Sequence, residues 1–310
     1  MFKISYNRAI MRVRVETVTP LSIRAGETGL DPTSSDLACV RTHHRVHGTT
    51  VYIPGSSFKG VLRSTAEAQL RGQRFKHQGG SELEGACDPA NHRTSCAQHK
   101  GDDTAAIHRA NCLACRIFGS LSMRGRCAPR DLFPFSASVE ISADERANLA
   151  RANRVEVRHG VLIDRISGAV AGSCLFDQEI VPAGITLHGE IALHNYQAWQ
   201  LGLLWSSLDE LNEGFAQLGS SKTRGLGVVR VEVDALMHEQ RYTSEHPAAV
   251  GDLVGDREAR DYGLFPEVRL PAAEGRARGL SRRFEVSGPD LARWRDAAMT
   301  GLANLPRESA

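Results

Sequence analysis

No run in this 310-residue chain approaches the ~18 consecutive apolar positions that a membrane-spanning helix needs. Lysine is almost missing too: Lys3, Lys59, Lys76, Lys100 and Lys222 are the only lysines among 38 basic residues, so the positive charge is nearly all arginine. Strong charge of either sign is absent, since 36 acidic residues leave a net +2. The opening MFKISYNRAIMRVRV lacks the charged-then-apolar layout of a secretory leader. The seven cysteines are an odd count, which argues against a disulfide framework. A cytoplasmic protein is the expectation. Apolar content of 41% with 24% charged residues excludes collagen-like, coiled-coil and largely disordered chains. A chain of this length buries a core without covalent staples. No internal repeat recurs along it.

Two local features stand out against that even background. Between Leu37 and Gly80 the chain carries Arg41, Arg45, Lys59, Arg63, Arg71, Arg74 and Lys76 against a single acid, Glu67. A polyanion would be drawn to such a segment. The second feature is the cysteine group Cys87, Cys96, Cys112 and Cys115. A C-x2-C turn holds two thiolates at the bite of a tetrahedral zinc, and Cys87 and Cys96 can supply the other two ligands. His92 and His99 lie close enough in sequence to make a Cys3His set the alternative. The stretch from Gly79 to His108 is polar and glycine-rich, so metal is what would order it. Four protein ligands leave no open position, which predicts a structural role. Cys39, Cys127 and Cys174 are expected to be bystanders.

Residues 10–18 alternate apolar and polar as a half-buried strand does. A strand is expected through 51–53, then a helix from Phe58 to Leu70 with Ser56 or Ser57 as its cap. The free N–H groups at that helix start, beside Lys59 and Arg63, would suit a phosphate. Further strands are expected at 135–141, 154–163 and 173–193, a helix at 196–213 and a closing strand at 228–233. The order suits an α+β, ferredoxin-like core carrying insertions. Residues 234–310 form an extension with one helix candidate, Gly288 to Leu305. The loop from Gly219 to Gly227 matches neither nucleotide-binding glycine motif, because a strand follows it. Lys222 and Arg224 within it can still meet an anion at close range. His43 and His44 are the candidate bases for a metal-independent RNA cleavage.

Four segments in order, Tyr52-Ile-Pro-Gly-Ser-Ser-Phe-Lys-Gly-Val-Leu-Arg-Ser64, Cys112-Leu-Ala-Cys-Arg-Ile-Phe-Gly-Ser120, Gly160-Val-Leu-Ile-Asp-Arg-Ile-Ser-Gly168 and the Gly219 to Gly227 loop, resemble the RAMP superfamily. Within it the chain is most similar to the backbone subunit of type III CRISPR effector complexes. The resemblance spans about 10–233. It implies an RNA-recognition-motif-like ferredoxin core (1–233), a zinc-binding insertion (79–118) and a thumb β-hairpin (about 154–182). It implies crRNA and target RNA as ligands, copies of the chain stacked as a filament, and other CRISPR effector subunits as partners, with no membrane. Ser56, Ser57, Lys59, Arg63, Arg41, Lys222 and Arg224 become guide-backbone contacts, and Asp164 and Arg165 mark the thumb. The family's target-cleaving carboxylate corresponds to Asp36, five residues before Arg41, with Asp31 as the alternative. It would act with Mg or Mn on the 2′-hydroxyl. A scaffold that leaves cutting to another subunit is the rival reading. Aromatic pairs for base stacking are not evident, which favours backbone gripping.

Overall fold

The computed structural model describes residues 3–24, 35–77, 82–91, 93–99, 101–136, 139–242 and 244–307, without the side chains of 171–174. The elements in chain order are β1 (Asn7–Thr17), β2 (Arg41–His44), β3 (Gly48–Val51), α1 (Gly55–Leu70), β4 (Arg74–Lys76) and β5 (Glu82–Glu84). There follow α2 (Thr104–Ala110), α3 (Leu113–Phe118), β6 (Cys127–Pro129), α4 (Ala143–Ala152), β7 (Glu156–Ile163), β8 (Val170–Ile180) and β9 (Thr186–His194). The remainder comprises α5 (Ala198–Asn212), β10 (Val229–Arg241), α6 (Val250–Leu253), α7 (Asp256–Asp261), β11 (Gly275–Arg278), β12 (Ser281–Ser287) and α8 (Pro289–Ala303).

Strict alternation makes β1 the centre of the molecule. Ala9, Met11, Val13 and Val15 point into the core, and Arg8, Arg12, Arg14 and Glu16 point out. One apolar face must be covered, and a mixed α+β architecture results: a six-stranded antiparallel sheet in the order β11-β12-β10-β1-β9-β6, with helices on one side. α1 packs beside β6, α5 on β10 and α8 on β12, and α5 lies between α1 and α8. Sandwiched this way, α5 is buried nearly all round, from Ala198 through Leu211. The outward arginines of β1 are held by acids: Arg14 by Asp234 and Glu232 (2.8 Å each), Arg8 by Glu239.

The α5–α8 contact is close because Gly202 lacks a side chain. A Cβ there would fall 2.2 Å from the Ala298 carbonyl oxygen. Gly202→Ala should therefore cost about 1–3 kcal/mol by overpacking. Gly60→Ala, on α1 with open space around it, should gain about 0.5–1 kcal/mol from helix propensity. Denaturant midpoints of the two variants, moving in opposite directions, check this.

Three expectations change. The 135–141 segment is no strand in its described residues, because its end is drawn into the start of α4. There Ser142 Oγ accepts from the Glu145 N–H (3.1 Å) while the Glu145 carboxylate accepts from the Ser142 N–H (2.9 Å). Those backbone donors hold the Glu145 carboxyl down at about 2. The helix read from Phe58 starts at Gly55, with Pro54 at the cap position, so neither Ser56 nor Ser57 caps it. The strand read at 228–233 runs on to Arg241 and pairs with β12, which ties the chain after 233 into the sheet.

Candidate metal centre and nucleic-acid face

Cys87, Cys96, Cys112 and Cys115 converge, all buried, with their sulfurs within 4.8 Å of one another. Zinc–sulfur bonds of about 2.3 Å in a tetrahedron space their sulfurs by about 3.8 Å, and Cys87 Sγ lies 3.8 Å from Cys115 Sγ. The local backbone explains the convergence. Cys112 caps α3, its sulfur accepting the Cys115 N–H (3.4 Å), and the Cys112 N–H donates to Cys96 Sγ (3.2 Å). Backbone donors aimed at sulfur favour thiolates. Hydrogen bonds from the Cys112 and Cys115 thiols pull Cys96 down to about 4, and the Cys115 thiol lowers Cys112. Cys87 and Cys115 are held high chiefly by their bonds to Cys112. Four soft donors in a closed, buried set fit a structural metal. His99 lines a cavity of about 530 Å³ beside the cluster without joining it, and His92 lies outside the described residues. Cys39 and Cys127 are buried elsewhere, and the Cys174 side chain is outside the described set.

The centre is bolted to its neighbours by two arginines. Arg116, inside α3 and fully buried, donates to the carbonyls of His108, Asn111, Arg109 and Gly263 at 2.8–3.1 Å. Burial lowers its guanidinium to about 9. Arg63, expected at a guide phosphate, reaches the cysteine cluster. It donates to Glu67 (2.7 Å), to the Gly119 carbonyl (3.2 Å) and to Cys115 Sγ (3.7 Å). No signal in the sequence separated Arg63 from Lys59, because only helix phase and the later cysteines decide which one faces the cluster.

The start of α1 is partly filled. Asp131 accepts the Gly55 N–H at 2.8 Å. The Ser56 and Ser57 N–H groups and hydroxyls have no partner among the described residues, and the Lys59 ammonium has no acidic one. The other predicted residues gather at the base of β8. Asp36 is exposed, and one of its carboxylate oxygens accepts the Asp177 N–H (3.0 Å). Leu37 pairs with β8, its N–H donating to the Asp177 carbonyl and its carbonyl accepting the Glu179 N–H (3.0 Å each). Arg41 is held by Glu179 (2.8 Å). From the other side, Ser221 donates to Gln178 Oε1 (3.0 Å) and accepts from Arg24 (3.2 Å), and Arg224 lies over the Phe176 ring at 5.1 Å. Lys222 lines the groove along α1 with Val61, Ser64 and Ala68. The glycines of this loop have a steric reason: a Cβ on Gly219 would meet the Ser22 oxygen at 2.4 Å, and on Gly227 the Leu218 oxygen at 2.0 Å.

Gln178, Ser221 and Arg24 were missed in sequence, since nothing local in it shows which loops a strand will collect. Asp164 accepts from the Ile166 and Ser167 N–H groups (2.9 and 2.7 Å), closing the turn at the tip of the β7–β8 hairpin, and these donors lower its carboxyl. Arg165 is exposed beside it. Asp31 lies outside the described residues. His44 Nδ1 accepts the Val46 and His47 N–H groups (3.3 Å each), which leaves that nitrogen unable to act as a base, and burial lowers the ring further.

No helix among the described residues is long and apolar enough to cross a membrane. A search of curated proteins finds no match. Residues 14–230, from within β1 to the second residue of β10, match the family model described as the RAMP superfamily. That stretch is well over half of the chain, and it makes the protein a member of the RAMP superfamily.

Proposed function

We propose that this chain is the crRNA-binding backbone subunit of a type III CRISPR ribonucleoprotein, and that it cleaves the target RNA at regular intervals with a divalent metal. The observation that carries the reading is the junction at the base of β8. There an exposed carboxylate, Asp36, docks on the Asp177 N–H, a glycine-rich loop docks on Phe176 and Gln178 of the same strand, and Lys222 and Arg224 of that loop have no acidic partner among the described residues. Cations left unpaired on a chain of +2 net charge are the groups that hold a phosphate backbone.

Supporting features agree with this. The run β1–α1–β6–β9–α5–β10 with spatial order β10-β1-β9-β6 is a ferredoxin-like arrangement, with β11, β12 and α8 as the 234–310 extension of the 1–233 core. The β7–β8 hairpin exposes Val161, Leu162, Ile163 and Ile166, and we read it as the thumb (about 154–182) that another copy or the guide–target duplex covers. The four cysteines are read as a structural zinc site of the 79–118 insertion, with Arg63 beside one thiolate. No group of three or more carboxylates or histidines converges on Asp36 among the described residues. A Mg or Mn ion there would be held by Asp36 and by RNA phosphates, and it would stabilise charge on the scissile phosphate. Other CRISPR effector subunits are the expected partners.

Salt dependence tests the RNA reading. Lys59→Ala and Lys222→Ala should each lower the slope of log affinity against log salt by about 0.7 for a single-stranded RNA. The weakening should be alike for any base sequence. Arg63→Gln should leave the slope unchanged and lower thermal stability, because Arg63 faces the cysteines. Unchanged slopes in both lysine variants would overturn the assignment.

A further inference from the structure

Two distant stretches of chain, 44–52 and 133–135, bring five rings onto one surface beside the start of α1. Tyr52 and Phe133 stack with centroids 5.8 Å apart and planes 15° apart. Phe133 stacks in turn on Phe135, at 5.4 Å and 19°. His44 and His47 lie nearly parallel at 5.1 Å and 9°, and both pack on Phe135, at 4.8 and 4.3 Å. The rings are fixed from behind. Ile53 and Leu132 exchange backbone hydrogen bonds (2.9 Å each), as do Phe133 and His188 (2.9 and 2.7 Å), so this stretch rides on the edge of β9. The His44 ring is locked by the two backbone donors at its Nδ1.

Phe135 is the buried floor of this set, while Tyr52, Phe133, His44 and His47 keep part of their surface in solvent. The Tyr52 hydroxyl has no hydrogen-bond partner among the described residues. His47 Nε2, itself buried, has none either. Both signs of charge flank the rings, and the acids, Asp131 and Glu145, are already bonded to the backbone N–H groups of Gly55, Ser136 and Ser142. Arg45 in the hairpin turn is exposed, Lys59 lies in the first turns of α1, and neither has an acidic partner among the described residues. Part-exposed aromatic rings and unpaired cations in the same segments suit a planar ring that carries its own phosphate. An apolar peptide would leave those cations unmatched.

We propose that Tyr52 and Phe133, seated on Phe135 and the His44–His47 pair, form a stacking site for one unpaired RNA base. The site rests on the RNA-binding reading above and adds base contact to what that reading treats as backbone gripping. It escaped the sequence because no two of its segments are neighbours in the chain. Stacking tolerates any base, so the site anchors a nucleotide without reading its identity.

The test compares a short homopolymeric RNA with an abasic strand of equal length and charge, using the full chain. Wild type should favour the base-bearing strand by about fivefold to a hundredfold, the range one stacked base supplies. Tyr52→Leu and Phe133→Leu keep apolar bulk and should each erase most of that preference while the salt slope stays. Tyr52→Trp should keep it, and its indole emission should be quenched by the base-bearing strand alone. That variant also guards against loss through misfolding. Equal binding of the two strands by wild type, or an unchanged preference in both leucine variants, would overturn the stacking site and leave RNA binding standing. Binding of neither strand overturns both readings.

Discussion

Cys112→Ser should strip the chain of its metal and lower its thermal midpoint by about 10 °C. Cys112 does three things at once: it offers a sulfur to the cluster, caps α3 by accepting the Cys115 N–H, and presents its own N–H to Cys96. A structural zinc contributes roughly 10–16 kcal/mol in small zinc-binding peptides. Losing even a quarter of that is ~3–4 kcal/mol, and at about 2–4 °C per kcal/mol it gives the stated shift. The damage should spread along α3, because Arg116 on that helix holds the carbonyls of Arg109, Asn111 and Gly263, and Arg63 ties the cluster to α1. Cys127→Ser is the control. Cys127 is as deeply buried, and burial pushes its thiol up to about 12, but it stands apart from the four sulfurs. That variant should keep one zinc per chain by elemental analysis. Chelation of wild type should reproduce the Cys112→Ser melt. A metal-free wild type whose melt the Cys112 change leaves alone would remove the centre from the account.

The elements legible in the sequence were those set by local pattern. The alternation of β1 reads directly, as do the C-x2-C spacing and the apolar stripe of α5, because period and spacing are properties of neighbours. What stayed hidden depends on partners far along the chain. Leu203 and Leu208 announce a helix, but only α8 explains why α5 is buried nearly all round. Ser142 and Glu145 spell a helix start that the apolar residues just before them obscured. Arg63 and Lys59 read alike, as two cations on one helix, until the cysteine cluster claims one of them. Asp36 is the mirror case. Its place in the chain marked it, while its meeting with Asp177 on the strand that also receives the Ser221 loop required the fold.

Asp36→Asn is the sharper of two changes that decide the chemistry. In the described structure one Asp36 oxygen accepts the Asp177 N–H and the carboxylate is otherwise exposed. An asparagine keeps an oxygen for that donor and removes the charge, whereas alanine removes both. If Asp36 binds a divalent ion or takes the proton of an attacking 2′-hydroxyl, both variants should slow target cutting at least 100-fold, the lower end of what a positioned acid–base group supplies. Guide and target affinity should stay within about threefold, since the cations of the phosphate face are untouched. The assay uses the complex with its guide and a labelled complementary RNA, in Mg and in EDTA, and reads the ladder of regularly spaced fragments. Cutting kept by asparagine and lost by alanine would make Asp36 an anchor of its loop on β8 and move the chemistry elsewhere. Cutting kept by both would assign it to another carboxylate or another subunit, with this chain as the scaffold. A ladder that survives EDTA would point to acid–base cleavage without metal, for which His44, with Nδ1 already bonded to two backbone donors, is poorly placed.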